Sequence, residues 1–197
     1  DDEFAQIKEH TTEGLLQLFR LRGFVDMPYR QMLMAYEHHM KTDLSGYPTN
    51  KRAREPTLFS RIVAVADSFD AATSVRSYQH QPWPPDAVLR EMRDNPKRGM
   101  DPLLVKALIT ATGVYPVGTL AILDSHELCI VSQVNGDPEL LHRPRVKIIS
   151  DAMGVPLSKP VILDLAKVDP STGKPVRTII KTTDPQKYGI QVSDYLT

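Results

Sequence analysis

The helical pattern of the chain breaks at Gly113-Val114-Tyr115-Pro116, and this break constrains the fold more than any other feature. Upstream of it, apolar residues recur at the spacing of amphipathic helices, which predicts helices at 1–22, 27–40, 57–75, 86–93 and 102–112. Downstream of it, short apolar runs separated by turn residues predict strands at 120–123, 128–134, 146–149, 161–165 and 178–181. We therefore predict a mainly α chain, with a helical bundle over residues 1–113 and a small β-rich C-terminal subdomain over residues 114–197.

The charge balance of the chain excludes some classes of partner. The sequence has 24 basic and 24 acidic residues, so its formal net charge is zero. Proteins that bind nucleic acid polymers carry a basic footprint, and we expect no such partner here. No apolar run approaches the roughly 20 residues of a membrane-spanning helix, so we expect no membrane segment in this stretch. Because the first residue is Asp rather than Met, we expect a piece of a longer protein.

Two residues are expected to contribute to packing rather than to chemistry. Cys129 is the only cysteine, so it cannot form an internal disulfide and fits a reducing compartment. It lies in an apolar run that predicts a buried strand position. Trp83 lies in a proline-rich stretch, and we expect it to anchor packing between helices.

Two adjacent histidines, His38 and His39, end a helical pattern and lead into the turn Gly46-Tyr47-Pro48. Successive helical residues lie about 100° apart, so both side chains reach one centre only if that centre is wide or if the helix ends there. A cluster of two metal ions is such a centre, and imidazole is a suitable ligand for Fe, Mn or Zn. The alternative is an exposed histidine pair at a helix C-terminus, where positive charge suits the helix dipole.

An acidic residue inside an apolar helix supports the metal interpretation. Asp67 is flanked by Val63, Ala64 and Ala66, so we expect it to face a core-like environment. A buried carboxylate requires a cation, hydrogen bonds or a metal ion. With two histidines upstream, a metal ion is the partner that explains most of the pattern.

Together these segments resemble the HD-GYP family, bacterial hydrolases of cyclic di-GMP within the HD phosphohydrolase superfamily. The matching segments are His38-His39, the stretch 43–48 and the stretch 65–78, in the order and close to the spacing of the family. The resemblance covers roughly residues 1–150 and implies an HD-type helical bundle for the predicted domain 1–113. It also implies action in the bacterial cytoplasm and an upstream sensory or receiver domain.

The resemblance implies roles for eight residues. Metal ligands would be His10, His38, His39 and Asp67, holding divalent ions of a two-metal site, with Fe or Mn expected. Without the resemblance, His10 would be an ordinary surface histidine. Residues that bind the substrate cyclic di-GMP would be Gly46, Tyr47, Pro48 and Arg76, the first three in a loop over the dinucleotide and the last at its phosphate. No residue of the chain is assigned as a catalytic acid or base.

The chain also departs from the family pattern. It contains no His-Asp dipeptide, the pair that gives the family its name. Met40 stands where an acidic residue is usual, Leu44 where Gly is usual and Gln79 where a basic residue is frequent. Four protein ligands do not fill a two-metal centre, so we expect the chain alone not to be a competent hydrolase.

Three functional hypotheses follow. The first is a metal-dependent phosphodiesterase that hydrolyses cyclic di-GMP to linear pGpG or GMP. The second is a degenerate HD-GYP domain that binds cyclic di-GMP or a protein partner without cleavage. The third is a helical scaffold in a larger assembly. The helix lengths allow a homodimer through a bundle, but nothing in the pattern demands one.

Overall fold

The computed structural model describes residues 2–21, 27–49, 54–74 and 82–196. The helices of this part are α1 (Asp2–Arg20), α2 (Tyr29–Glu37), α3 (Leu58–Thr73), α4 (Pro85–Asp94) and α5 (Pro102–Thr112). The strands are β1 (Leu120–Leu123), β2 (Leu128–Gln133), β3 (Arg145–Ser150), β4 (Pro156–Asp164) and β5 (Ile179–Thr182). Short 3₁₀ helices lie at Pro96–Arg98, Pro138–Leu140, Pro185–Tyr188 and Val192–Tyr195. The predicted fold class, helices followed by a small β-rich part, is confirmed.

The chain forms two compact units. The first comprises Asp1–Arg76 and Glu91–Leu108, and the second comprises Ser77–Arg90 and Ile109–Thr197. The boundary after residue 113 was derived from the sequence pattern alone and stays a prediction.

In the helical unit, α1 packs on α2 and α2 packs on α3. A Cβ added at Gly14 of α1 would lie 3.5 Å from the Cβ of Ala35 on α2, so the two helices approach closely there. Helix α3 begins with the side chain of Thr57 accepting a hydrogen bond from the Ser60 N–H, the usual way of satisfying an unpaired donor at a helix start. Met32 and Met40 are buried in this unit.

The second unit is built on an antiparallel sheet with the strand order β4-β3-β2-β1-β5. Alternate residues point to opposite faces of a strand, and both faces of the central strands are covered. One face buries a cluster that includes Cys129, which confirms the expected burial of this residue. On the other face, Leu120 and Ile130 pack with residues of the C-terminal segment, among them Val192 and Tyr195.

Helices able to cross a membrane, which need a long and apolar stretch, are absent from the described part of the chain.

Candidate metal centre

A tight turn follows α2 and folds the Gly-Tyr-Pro segment back onto the histidine pair. Met40 forms a β-bridge with Gly46, and the Tyr47 N–H donates to the His39 carbonyl over 3.3 Å. Gly46 has a φ of 91°, a backbone conformation that residues other than glycine rarely adopt. A Cβ at this position would also overlap the His39 carbonyl oxygen. The glycine is therefore required by the backbone of the turn.

Three of the four predicted metal ligands lie together. His10 comes from α1, and His38 and His39 follow the last residue of α2. One ligand nitrogen from each ring can be chosen so that all three atoms lie within 4.8 Å of one another. The Nε2 atoms of His10 and His38 are 3.2 Å apart. We call these three residues the histidine cluster.

The hydrogen bonds of two cluster rings determine which nitrogen carries the proton. His38 Nδ1 lies 3.1 Å from the Met34 carbonyl and 3.0 Å from the Ala35 carbonyl, and His10 Nδ1 contacts the Ile7 carbonyl. A carbonyl oxygen only accepts, so each Nδ1 must be the N–H donor, and the Nε2 of a neutral ring is left with a lone pair. With both rings neutral, the two Nε2 lone pairs face each other in the cluster.

This arrangement fits a metal ion. Metal-bound histidines donate their second ring N–H to a carbonyl or carboxylate, as both of these rings do. Two nitrogens about 2.1 Å from one ion, at angles between tetrahedral and right-angled, lie about 3.0–3.4 Å apart. The observed separation of 3.2 Å between the two Nε2 atoms falls within that range. A cation between them would remove the repulsion of the lone pairs.

The other predicted site residues are distributed differently. Asp67 is half-buried on α3, and its carboxylate is not part of the group within 4.8 Å of the histidine nitrogens. Tyr47 and Pro48 are half-buried and Gly46 is exposed. Arg76 lies outside the described residues, as does Gln79. The ligand role of Asp67 and the phosphate role of Arg76 stay predictions.

Glu37 is a buried acid that the sequence interpretation missed. Its side chain is fully buried; it accepts hydrogen bonds from the Thr57 N–H over 2.9 Å and the Ser60 hydroxyl over 2.8 Å, and it pairs with Arg54. It thereby joins the end of α2, next to the histidine pair, to the start of α3. A signal was present, because an acid in the last turn of a helix is disfavoured by the dipole and needs another partner.

Aromatic contacts cover one side of the cluster. The Tyr47 ring stacks on His39 at a centroid distance of 4.5 Å, and it meets Phe4 of α1 edge-on at 6.3 Å. The Lys8 ammonium lies 4.5 Å from the centre of the Phe4 ring. The cluster is therefore bordered by flat aromatic surface and a cation, a combination suited to a base and a phosphate.

In the helical unit, histidines from two helices meet at one point. The chain is therefore a helical domain with a candidate metal site. A family model described as HD domain matches residues 1–104, more than half of the chain. The chain belongs to the HD domain family and, by its motifs and relatives, to the HD-GYP family within it.

Three curated relatives illustrate this membership. A cyclic di-GMP phosphodiesterase of Pseudomonas aeruginosa is 32% identical over 163 residues, covering 82% of this chain and 38% of the relative. A cyclic di-GMP phosphodiesterase response regulator of Xanthomonas campestris is 43% identical over 111 residues, covering 55% of this chain and 28% of the relative. A 3'3'-cGAMP-specific phosphodiesterase of Vibrio cholerae is 37% identical over 114 residues, covering 58% of this chain and 24% of the relative. The chain thus spans well under half the length of these relatives.

Proposed function

We propose that the protein containing this chain is a metal-dependent phosphodiesterase that hydrolyses cyclic di-GMP to linear pGpG or GMP. The observation that carries the proposal is the pair of Nε2 atoms, 3.2 Å apart, in a cluster bordered by Tyr47. The names of the relatives from Pseudomonas aeruginosa and Xanthomonas campestris support cyclic di-GMP as the substrate. The proposed setting is the bacterial cytoplasm, with a sensory or receiver domain in the same protein.

Divalent ions, with Fe or Mn proposed, would be held by His10, His38 and His39, with Asp67 as a further ligand. Bound there, they would supply an activated water molecule and positive charge at the phosphoryl oxygens. Hydrogen bonds from Nδ1 to backbone carbonyls keep two of the rings oriented. The face of Tyr47 orients a base of the dinucleotide by stacking, and Arg76 binds its phosphate.

A cleavage assay on the full-length protein tests this proposal. Cyclic di-GMP and 3'3'-cGAMP are compared as substrates, since relatives named for each exist. We expect cleavage of cyclic di-GMP that is lost in His39→Ala and retained in His142→Ala, a control at an exposed histidine outside the cluster. Equal cleavage by both variants, or preference for cGAMP, would contradict the proposal.

A second candidate function is a degenerate domain that binds cyclic di-GMP or a protein partner without cleavage. One observation favours it: Met40, where the family usually has an acid, is 7% exposed and belongs to the core. No carboxylate can act as a ligand at that position. Saturable binding of cyclic di-GMP by the metal-loaded protein, with no product formed, would support this function over the first.

A further inference from the structure

We propose that a cavity beside the histidine pair is a binding site for a phosphate anion. The cavity has a volume of about 220 Å³ and is lined by three cationic side chains, those of Lys41, Arg61 and Arg98. His38 and His39 also line it, so an anion bound there lies next to residues of the histidine cluster. Among the described residues that line the cavity, Asp101 is the one carboxylate, so this described lining has an excess of positive charge.

The position of Lys41 is fixed by a close packing contact. The Thr42 N–H and hydroxyl both donate to the Gly99 carbonyl, each over 3.0 Å, and this fastens the loop after the histidine pair to the turn around Gly99. A Cβ at Gly99 would lie 2.8 Å from Cβ and Cδ of Lys41, and the φ of Gly99 is 68°. The glycine therefore makes room for the stem of Lys41, a residue that lines the cavity.

The two arginines are held by carboxylates but retain donors. Arg61 Nη1 lies 2.8 Å from Asp101 Oδ2, while its Nε is buried without an acceptor among the described residues. Arg98 Nε lies 2.5 Å from Glu91 Oε2, in a close ion pair whose alignment is not that of a hydrogen bond. A guanidinium has five N–H donors, so neither pair exhausts its arginine. A buried donor without an acceptor is costly, and an oxyanion would satisfy it.

The size of the cavity limits which ligands it can bind. Pockets that enclose a drug-sized ligand have volumes of about 300–1,000 Å³, so this cavity of about 220 Å³ accommodates a phosphate group rather than a whole dinucleotide. Arginine and lysine both suit phosphate oxygens. The ligand is therefore a phosphate, present either as a diester within a larger molecule or as a terminal monoester. The assignment of this phosphate to a cyclic dinucleotide or to its product rests on the proposed function. The binding of an anion in the cavity does not rest on it.

Calorimetric titration of inorganic phosphate into metal-free full-length protein tests the site, because phosphate then cannot bind through a metal ion. We expect saturable binding that weakens about tenfold or more when one charge-assisted contact is lost. Lys41→Gln keeps the stem and removes the charge, Arg98→Gln provides an independent variant, and Lys41→Arg should restore binding. Lys106→Gln, on the exposed side of α5 and outside the lining, should bind like the wild type. The absence of saturable binding, or equal affinity in all variants, would overturn the proposal.

Competition and kinetics then distinguish the sources of the anion. Displacement of phosphate by dimethyl phosphate assigns the cavity to a diester, and displacement only by methyl phosphate assigns it to a monoester end; either result supports an anion site.

If the protein cleaves cyclic di-GMP, Lys41→Gln should raise KM about tenfold and change kcat little for a diester site. If wild-type protein binds phosphate in the cavity but does not cleave, the anion site stands and the proposed function fails.

Discussion

The ring of Tyr47 stacks on the ring of His39, with centroids 4.5 Å apart and 30° between the ring planes. The stacking follows from the turn that pairs Met40 with Gly46, because this turn returns the chain to the histidine pair. Tyr47 is also 6.3 Å from His10, edge to face. One aromatic side chain thus borders histidines from both helices of the cluster, and its placement depends on the positive φ of Gly46, the residue before it.

Replacing Tyr47 tests whether its ring orients a nucleotide base. Stacking of a base on an aromatic ring contributes about 1–3 kcal/mol, so we expect Tyr47→Leu to weaken binding of cyclic di-GMP by about tenfold. Tyr47→Phe keeps the ring and should bind within about threefold of the wild type. Tyr188→Leu, at an exposed tyrosine of the sheet unit, is the matched control. Calorimetry that gives equal affinities for the leucine variant and the wild type would exclude the stacking role.

The buried carboxylate of Glu37 should stabilise the helical unit. Glu37→Ala removes the acceptor of three hydrogen bonds, from Arg54, Thr57 and Ser60, and leaves the buried Ser60 hydroxyl with one partner fewer. We expect a loss of about 3 kcal/mol in the free energy of unfolding. The contribution of Arg54 to this loss is small, since its side chain is 49% exposed. Urea denaturation measures the loss, with Glu55→Ala, at an exposed neighbouring position, as the control; equal stabilities of the two variants would contradict the account.

Gly46→Ala should disrupt the turn that carries the site. The positive φ of Gly46 and its contact with the His39 carbonyl leave no room for a Cβ. The backbone conformation alone costs about 1–2 kcal/mol for a residue other than glycine, and displacement of His39 should also lower metal binding. Gly136→Ala, where a Cβ would meet nothing within 4 Å, is the control. Metal affinity that is unchanged in Gly46→Ala would show that the turn does not position His39.

The thiol of Cys129 should be unreactive in the folded protein. Burial, with a smaller contribution from Glu127, raises the pKa of Cys129 to about 12, whereas a thiol of an unfolded chain titrates near pH 8.5. Between these values the folded state keeps a proton that the unfolded state loses, so this group lowers stability as pH rises from about 8.5 towards 12. We expect a disulfide reagent at pH 8 to label the protein only after urea is added. Rapid labelling of native protein would mean that Cys129 is accessible.

The fold was largely predictable because its helices and strands follow simple periodicities. Strand β4 shows where the pattern failed: we expected a strand at 161–165, but it spans Pro156–Asp164. Pro156, Lys159 and Pro160 interrupt the apolar pattern, and an edge strand tolerates proline because one side of its backbone is unpaired. The expected packing role of Trp83 was wrong, since its side chain is 58% exposed. A proline-rich stretch does not determine which way a side chain points.

The site was predictable to the extent that short motifs specify it. The two adjacent histidines and the Gly-Tyr-Pro turn indicate a candidate metal-binding motif in the sequence itself, whereas His10 was assigned only through the resemblance to the HD-GYP family. The network of Glu37 was not predicted, because its partners at Thr57 and Ser60 meet it only through packing of α2 on α3. The cavity beside the histidine pair was not predicted for the same reason, since Lys41 and Arg98 are far apart in sequence.

The measurement that tests the central claim most directly is the metal content of the full-length protein, determined by elemental analysis after purification without chelators. We predict bound Fe or Mn, retained in His142→Ala and reduced in His10→Ala and in His38→Ala, because the two Nε2 atoms, 3.2 Å apart, would hold one ion between them. Metal-free protein that does not take up added Fe or Mn, or metal content unaffected by either cluster variant, would contradict it.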